Sequence, residues 1–159
     1  MIILRSKNYS FHSDMPDVLK IDKTNLTLKK TEPLKIAKWL GKNIIKPWGR
    51  VQDNKTLYEV FDKSGNNIGF LDLNKVNEDT VEIAWIEINS SYRGNHYATS
   101  ILEEVIKMAK LYKVKKLVLD VPGNAPDARH IYTKLGFKET GDVVESEMWG
   151  GLTQMELKL

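Results

Sequence analysis

The stretch from residue 80 to residue 121 constrains the fold of this chain most strongly. It contains an apolar strand pattern, "TVEIAWIEI" at 80–88, then a polar loop, an amphipathic helix pattern and a second buried-type strand, "KKLVLDV" at 115–121. A strand, a helix and a strand in this order favour a parallel pair, because the helix provides the crossover between the two strands. The stretch therefore predicts a sheet that contains a parallel pair and carries a helix on one face.

The remaining elements predict how that sheet is completed. A short strand is expected at 25–31, a helix over 31–43 with Thr31 as its N-cap, a hairpin over 57–73 around "KSGNN", a shorter helix over 125–137 and a last strand at 152–159. Three sequential strands favour antiparallel pairing. The predicted fold class is α/β (α+β), with a mixed, mostly antiparallel twisted sheet flanked by helices. At 159 residues the chain is expected to be a single domain, 1–159, in which residues 1–24 are an ambiguous N-terminal extension.

The strand at 80–88 has a break in its alternation. Val81, Ile83 and Trp85 follow one face, whereas Ile86 and Ile88 continue out of phase. One extra residue must be accommodated, so we predict a β-bulge near Trp85–Ile86 in this central strand. A bulge there would splay the strand from its neighbour and free backbone groups to bind a ligand.

Composition and motifs exclude several classes of function. The chain has no cysteine, which removes disulfides, thiolate metal sites and a cysteinyl intermediate. His12, His96 and His130 lack metal-type spacing, so no metal is expected. A net charge of +3 is too small for a nucleic-acid binder, and no Gly-x-x-x-x-Gly-Lys-Ser/Thr stretch indicates a P-loop. Without a signal peptide or an apolar run of membrane-spanning length, we expect no membrane partner and a cytoplasmic location.

The loop at 92–99, "YRGNHYAT", lies where the strand gives way to the helix. The start of a helix exposes unpaired N–H groups and the positive end of the helix dipole, so it attracts anions. Gly94 lets the backbone pass close to a ligand, N–H groups from about Gly94 to Ala98 can converge on phosphate oxygens, and Arg93 adds a cation. The loop is therefore interpreted as a phosphate cradle, and an ordinary polar turn is the alternative.

Two segments of the chain resemble motifs of the GCN5-related N-acetyltransferases. The segment "YRGNHYATSIL" resembles their motif A, Arg/Gln-x-x-Gly-x-Gly/Ala, and "NAPDARHIYTKLGF" resembles motif B, with its Ala-x-x-x-Tyr-x-Lys-x-Gly-Phe core. The segment "EIAWIEINS" resembles the strand that precedes motif A. The resemblance covers roughly residues 25–159, and its most specific part is about 80–137. It implies a fold of this family and the transfer of an acyl group, usually acetyl, from acyl-coenzyme A to an amine.

The resemblance also implies a binding site for acetyl-coenzyme A as acyl donor. The residues assigned to it lie on the bulged strand, in the loop and first turn that follow, and in motif B: Ile86, Glu87, Ile88, Arg93, Gly94, Asn95, His96, Tyr97, Ala98, Thr99, Asn124 and Ala128. His96 stands where the motif most often has its central glycine, so a positive φ there would be costly. Asn124 stands four residues before Ala128, where three is more usual, and N-capping of the following helix is an alternative role for it.

Two residues are candidates for proton transfer. By resemblance, Glu82 is the general base that deprotonates the acceptor ammonium, for which a partly buried carboxyl with a raised pKa is suited. Glu87 is the alternative carboxylate, and we expect it to face away from the cofactor. Tyr132 matches the motif B tyrosine that protonates the leaving thiolate, although its helix face also fits core packing. The predicted function is N-acetyl transfer to a primary amine by direct attack in a ternary complex. The alternative is a non-catalytic module that binds acyl-coenzyme A as a sensor.

The acceptor is the least defined part of the prediction. Trp39, Trp48 and Trp149 are candidates for lining its pocket, and Glu145 and Glu147 for attracting a cationic amine. Core packing of the tryptophans and solvation of the glutamates are the alternatives. A small-molecule amine and an amine on a protein both fit this pattern, and self-association as a homodimer is left open.

Overall fold

A computed structural model of the protein describes residues 15–32, 55–144 and 151–159. These residues form an eight-stranded sheet with the order β1-β2-β3-β4-β5-β6-β8-β7. The strands are β1 (Val18–Ile21), β2 (Leu26–Lys30), β3 (Lys55–Phe61), β4 (Asn67–Lys75), β5 (Thr80–Ile88), β6 (Lys116–Pro122), β7 (Lys138–Val144) and β8 (Leu152–Lys158). Two α-helices, α1 (Tyr97–Leu111) and α2 (Pro126–Lys134), and two short 3-10 turns, Asp22–Thr24 and Ser90–Tyr92, complete the described elements.

The predicted fold class is confirmed. β5 and β6 pair in parallel, and each of the other neighbouring strands in the sheet pairs antiparallel. The 57–73 hairpin corresponds to β3 and β4. β1 and β7, the two edge strands, were not predicted. The predicted helix over 31–43 lies outside the described residues apart from its start, where the Thr31 hydroxyl donates to Glu59 Oε1 at 2.6 Å.

Both helices pack on one face of the sheet. The apolar positions of α1 are spaced by three and four residues, so Ile101, Leu102 and Val105 point to one side and are buried there. Ile131 and Leu135, in and just after α2, pack on the same hydrophobic cluster. Successive right-handed crossovers from β5 to β6 and from β6 to β7 place their helices on the same side. The opposite face of the central strands therefore carries the polar residues of β4 and β5.

The predicted bulge in β5 is confirmed, one residue earlier than expected. Asp72 pairs with Trp85 and Leu73 pairs with Ile83, so Ala84 is the extra residue. This shift returns Ile86 and Ile88 to the core face that Ile83 occupies. The expectation that Trp85 shares this face is wrong, because the bulge turns it to the opposite face, where its ring contacts Phe70 edge-on at 5.5 Å between centroids.

β5 and β6 form a fork. Their pairing ends where Glu82 lies opposite Val118. Beyond this pair, β5 continues beside β4 and β6 continues beside β8. At about 3.3 Å per residue, the unpaired stretch 83–88 extends roughly 20 Å from the apex of the fork to the loop before α1. The bulge at Ala84 lies at the start of this stretch and accounts for the divergence.

Candidate active site

Glu82 lies at the apex of the fork, on the face of the sheet opposite the helices. Its neighbour across the antiparallel pair is Asn74 on β4. The Asn74 amide donates from Nδ2 to Glu82 Oε1 at 3.4 Å. The Glu82 side chain is half-buried. A carboxylate is thus held at the last point where β5 and β6 pair, beside the opening between them.

The loop at the other end of β5 presents unpaired backbone donors. In the part of the chain that the structure describes, the N–H groups of residues 94–99 have no hydrogen-bond acceptor, and the first bond into α1 runs from Ser100 N to His96 O at 3.0 Å. His96, the N-cap residue, makes no capping bond through its side chain. Gly94 has φ +84°, and its neighbours in this loop are exposed. Exposed N–H groups at the positive end of a 15-residue helix form an anion-binding arrangement.

Arg93 connects this loop with the end of β5. Its Nε donates to the Ile88 carbonyl oxygen at 3.1 Å, and its Nη2 lies 3.5 Å from Glu87 Oε1. The second oxygen of that carboxylate accepts a hydrogen bond from Trp85 Nε1 at 3.0 Å. Glu87 therefore bridges the Trp85 indole and the guanidinium. The Arg93 side chain is 63% exposed, so it remains accessible to an anion at the loop.

His96 adopts the positive φ that was expected to be costly at this position. Its backbone has φ +60° and ψ +22°, in the left-handed region. Glycine reaches this region without steric conflict, whereas a side chain there clashes with the backbone. This accounts physically for the glycine in the motif. The chain makes the same turn with a histidine, whose exposed imidazole lies beside the free N–H groups.

The structure at the start of α2 shows that Asn124 is not its N-cap. Pro126 occupies the first turn as the sequence predicts, but the N-cap residue is Ala125, and no side chain makes a capping bond there. N-capping by Asn124 is therefore wrong. Asn124 is exposed in the turn between β6 and α2, and Ala128 is half-buried one turn before Tyr132.

Tyr132 is held by the way α2 ends. Gly136, at φ +101°, donates its N–H to Thr133 O, and Phe137 N donates to Tyr132 O, each at 3.0 Å. This is a Schellman motif, in which the residue after the glycine contacts the last turn of the helix. The rings of Tyr132 and Phe137 accordingly lie 6.0 Å apart between centroids. The Gly-Phe pair of motif B thus fixes the tyrosine ring against the core.

Burial extends the pH range over which the Tyr132 phenol stays protonated. Desolvation raises the pKa of Tyr132 above its ordinary value of 10.0. The hydroxyl therefore stays protonated at neutral and mildly alkaline pH and is able to donate. The ring packs against the hydrophobic cluster, so the core interpretation of this residue is correct.

Sequence reasoning missed the polar residues of β4 that accompany Glu82. Lys55 Nζ contacts Asp72 Oδ2 at 3.0 Å, and Asn74 contacts Glu82. The signal lies in "LDLN" at 71–74, where Asp72 and Asn74 alternate with core leucines. The predicted acceptor residues cannot be placed, because Trp39, Trp48, Glu145, Glu147 and Trp149 lie outside the described residues.

The helices of residues 15–32, 55–144 and 151–159 are too short or too polar to span a membrane. These ranges also bring together no group of three or more His, Asp or Glu side chains that would hold a metal ion.

Comparison with known proteins relates this geometry to a family. A sequence profile described as "Acetyltransferase (GNAT) family" matches residues 22–137. No curated protein matches the chain. The matched range includes β5, the loop, α1, β6 and α2, which are the elements of the fork and its surroundings.

Solved structures share the fold. A GNAT family acetyltransferase from Elizabethkingia anophelis, with acetyl-CoA bound, aligns with a TM-score of 0.65 and 19% identity over 85% of this chain and 99% of that chain. The spermidine/spermine N-acetyltransferase SpeG from Vibrio cholerae, in complex with manganese ions, aligns with a TM-score of 0.69 and 20% identity over 84% and 92% of the two chains. An IAA acetyltransferase from Bacillus cereus gives 0.66 and 16% identity, over 84% and 99%.

Proposed function

The chain belongs to the acetyltransferase (GNAT) family, and from this premise we propose that it transfers an acetyl group from acetyl-coenzyme A to a primary amine by direct attack in a ternary complex. The observation that carries the proposal is the fork between β5 and β6, with a carboxylate at its apex and free N–H donors at its far end. Coenzyme A has its thiol and its pyrophosphate at opposite ends of a long arm, so the fork fits both ends of one ligand.

The pyrophosphate is assigned to the loop before α1. The N–H groups of residues 94–99 supply the hydrogen bonds, and Arg93 supplies positive charge. The pantetheine arm is assigned to the backbone of Ile86, Glu87 and Ile88, which β6 leaves free, with Asn124 and Ala128 on the α2 side. The bound thioester supplies an electrophilic acetyl carbon and a thiolate leaving group.

The proton transfers are assigned to Glu82 and Tyr132. An ammonium ion has no lone pair for attack, so Glu82 takes one proton from it, directly or through water. The amine nitrogen then bonds to the acetyl carbon, and the carbon–sulfur bond breaks as the departing sulfur takes the proton of the Tyr132 hydroxyl. The amide nitrogen loses its second proton, which restores the Tyr132 hydroxyl through water, and Glu82 releases its proton to solvent. A chain without cysteine forms no thiol acyl-enzyme, and this favours the single-step route.

Spermidine is the acceptor to test first. It is the substrate named for the Vibrio cholerae enzymes that share this fold, and it offers primary amines that are cationic at neutral pH. Half-buried Glu82 gives such a cation a negative partner at the fork. An amine on a protein is the second acceptor class, and a peptide that carries a free lysine represents it in the same assay.

The substitution Glu82→Gln tests this assignment. We expect the rate of acceptor-dependent coenzyme A release to fall about 10²–10⁴-fold, because the variant lacks the base. The loss should shrink as pH rises, since more of the amine is then unprotonated without help. Calorimetric binding of acetyl-coenzyme A should be unchanged. Glu78→Gln, an exposed glutamate in the turn before β5, is the matched control and should keep full activity.

Full activity of Glu82→Gln at neutral pH would contradict the base assignment. A wild-type protein that binds acetyl-coenzyme A but releases no thiol with any amine of a broad panel would instead support the non-catalytic sensor.

A further inference from the structure

A row of polar side chains crosses the sheet beside the apex of the fork. Lys55 on β3, Asn74 on β4 and Glu82 on β5 lie directly opposite one another in the antiparallel register. Opposed side chains on neighbouring strands lie about 5 Å apart at Cβ, so each lies beside the next. The row ends at the carboxylate that the proposed function uses as a base.

Asn74 has a buried polar atom without a hydrogen-bond partner among the described residues, which lowers the stability of the fold. Its Nδ2 donates to Glu82 Oε1 at 3.4 Å. Its Oδ1 is buried and accepts no hydrogen bond from the residues that the structure describes. A buried acceptor without a partner destabilises the folded state, whereas an apolar side chain of the same size would not. A native protein that retains such a group next to a candidate catalytic residue indicates a role in function.

The orientation of the Asn74 amide follows from its partner. An ionised carboxylate only accepts hydrogen bonds, so the NH₂ group of Asn74 must face Glu82. The bond engages Oε1 of Glu82, and Oε2 has no partner among residues 15–32, 55–144 and 151–159. One carboxylate oxygen is therefore anchored, and the other is left for a proton donor.

The ion pair beside Asn74 keeps a competing cation away from Glu82. Lys55 Nζ lies 3.0 Å from Asp72 Oδ2, and the side chains are only 16% and 3% exposed. Lysine has a long, flexible side chain, and from β3 it would otherwise reach toward β5. A nearby lysine stabilises the ionised form of a carboxylate, so the carboxylate accepts a proton less readily and is a weaker base. Asp72 holds the ammonium, so the polar row leaves Glu82 with a neutral neighbour.

From this arrangement we propose that Asn74 is the positioning residue of the catalytic base: its amide anchors Oε1 of Glu82 so that Oε2 is directed to the acceptor amine. The inference rests on the proposed role of Glu82. It predicts a residue that matters for turnover and not for folding, because the amide acts through Glu82 alone.

The test is a double-mutant cycle of Asn74→Leu and Glu82→Gln, read by turnover and by melting temperature. Asn74→Leu should lower kcat about 10-fold or more, with an unchanged KM for acetyl-coenzyme A and an equal or higher melting temperature. In the Glu82→Gln background the same substitution should have no further effect on kcat. Asn74→Gln, which keeps the amide, should recover part of the activity. If the leucine variant does not fold, Asn74→Ser completes the cycle.

The chain provides a matched control on the same strand. Asn67 Nδ2 donates to Glu59 Oε2 at 2.7 Å, which is the same type of pair at the end of β4 remote from Asn74. Asn67→Leu should leave turnover unchanged. An Asn74→Leu effect of equal size in both backgrounds, or full turnover of Asn74→Leu, would overturn the inference while leaving Glu82 as the base. Full activity of Glu82→Gln alone would overturn the base itself.

Discussion

The start of α1 and the end of α2 both need a residue with positive φ and obtain it from different residue types. At the end of α2 it is Gly136, at φ +101°, and the turn places Phe137 against Tyr132. At the start of α1 it is His96, at φ +60°, with a side chain that this region of backbone space disfavours. Gly136 makes its turn at little cost, whereas the turn at His96 is strained. Because free N–H groups lie beside His96, the start of α1 is interpreted as built for binding, and because Phe137 contacts Tyr132, the end of α2 is interpreted as built for holding a ring in place.

Among substitutions at the two helix ends, the largest effect is expected at Tyr132, where the comparison predicts a role in proton transfer and none in cofactor binding. Tyr132→Phe removes the hydroxyl that we propose protonates the thiolate and keeps the ring that packs on Phe137. Turnover should fall roughly 10²-fold, at the low end of the range for general acid–base catalysis, at an unchanged melting temperature and an unchanged affinity for acetyl-coenzyme A. Steady-state kinetics and thermal unfolding measure this. Full turnover at an unchanged melting temperature would leave Tyr132 with a packing role alone.

A substitution of Arg93 tests whether the start of α1 contributes to cofactor binding and not to proton transfer. Arg93→Ala removes the proposed charge-assisted contact with the pyrophosphate and should weaken the binding of acetyl-coenzyme A by about 1–2 kcal/mol, which is roughly 5–30-fold in Kd. Calorimetric titration measures this, with Lys63→Ala in the exposed β3–β4 turn as the control. Acetyl-pantetheine has no phosphate, so it should bind weakly to the wild-type protein, and its affinity should be the same for Arg93→Ala and Lys63→Ala. Equal affinity of wild type for acetyl-pantetheine and acetyl-coenzyme A would contradict the phosphate cradle.

Gly136→Ala tests whether the α2 turn depends on its glycine. A Cβ at φ +101° is strained, and it would lie 3.3 Å from Leu157 Cδ1. We expect a loss of about 1–2 kcal/mol in the free energy of unfolding, measured with urea. Gly123→Ala, at a glycine without positive φ, is the control and should change stability little. Equal stability of the two variants would show that the turn tolerates a side chain.

His96→Gly should have the smallest effect, and in the opposite direction. Relief of the left-handed strain should stabilise the fold by at most about 1 kcal/mol, because the flexibility of glycine in the unfolded chain offsets part of the gain. Lys113→Gly, at φ +59° beyond the other end of α1, is the matched control and should stabilise similarly. The two differ in binding: only His96→Gly should change the affinity for acetyl-coenzyme A. A change of that affinity in both variants, or in neither, would contradict a role of the imidazole at the loop.

The elements that the sequence predicted are those with a local signal. The break in the alternation of β5 predicts its bulge, and the spacing of apolar residues predicts α1. Pro126 and Gly136 mark the two ends of α2. β1 and β7 are edge strands whose pairing depends on distant residues, and "VLKI" and "KETGDVV" give little periodic signal of their own. The sequence also did not reveal that Ala84, and not the pair after it, is the extra residue, since this choice depends on the partners in β4.

The site was predicted only where a sequence motif marks it, and the features that depend on tertiary structure were missed. Motif A marked the loop and the position of His96, but whether a histidine adopts the left-handed backbone there is decided by the folded turn. Asn74 carries no motif, and its significance arises from the register that places it opposite Glu82. The Arg93–Glu87–Trp85 connection likewise joins residues whose side chains meet only because the bulge turns Trp85 to the other face.

The central claim is that both helix ends serve one reaction, acetyl transfer to an amine. The most direct measurement is the release of coenzyme A thiol from acetyl-coenzyme A by the wild-type protein, with and without spermidine, together with the mass of the acceptor. We predict release that depends on the acceptor and matches, mole for mole, the gain of one acetyl group by the amine. Tight binding of acetyl-coenzyme A without acceptor-dependent release, across spermidine, other small amines and a lysine peptide, would contradict the account.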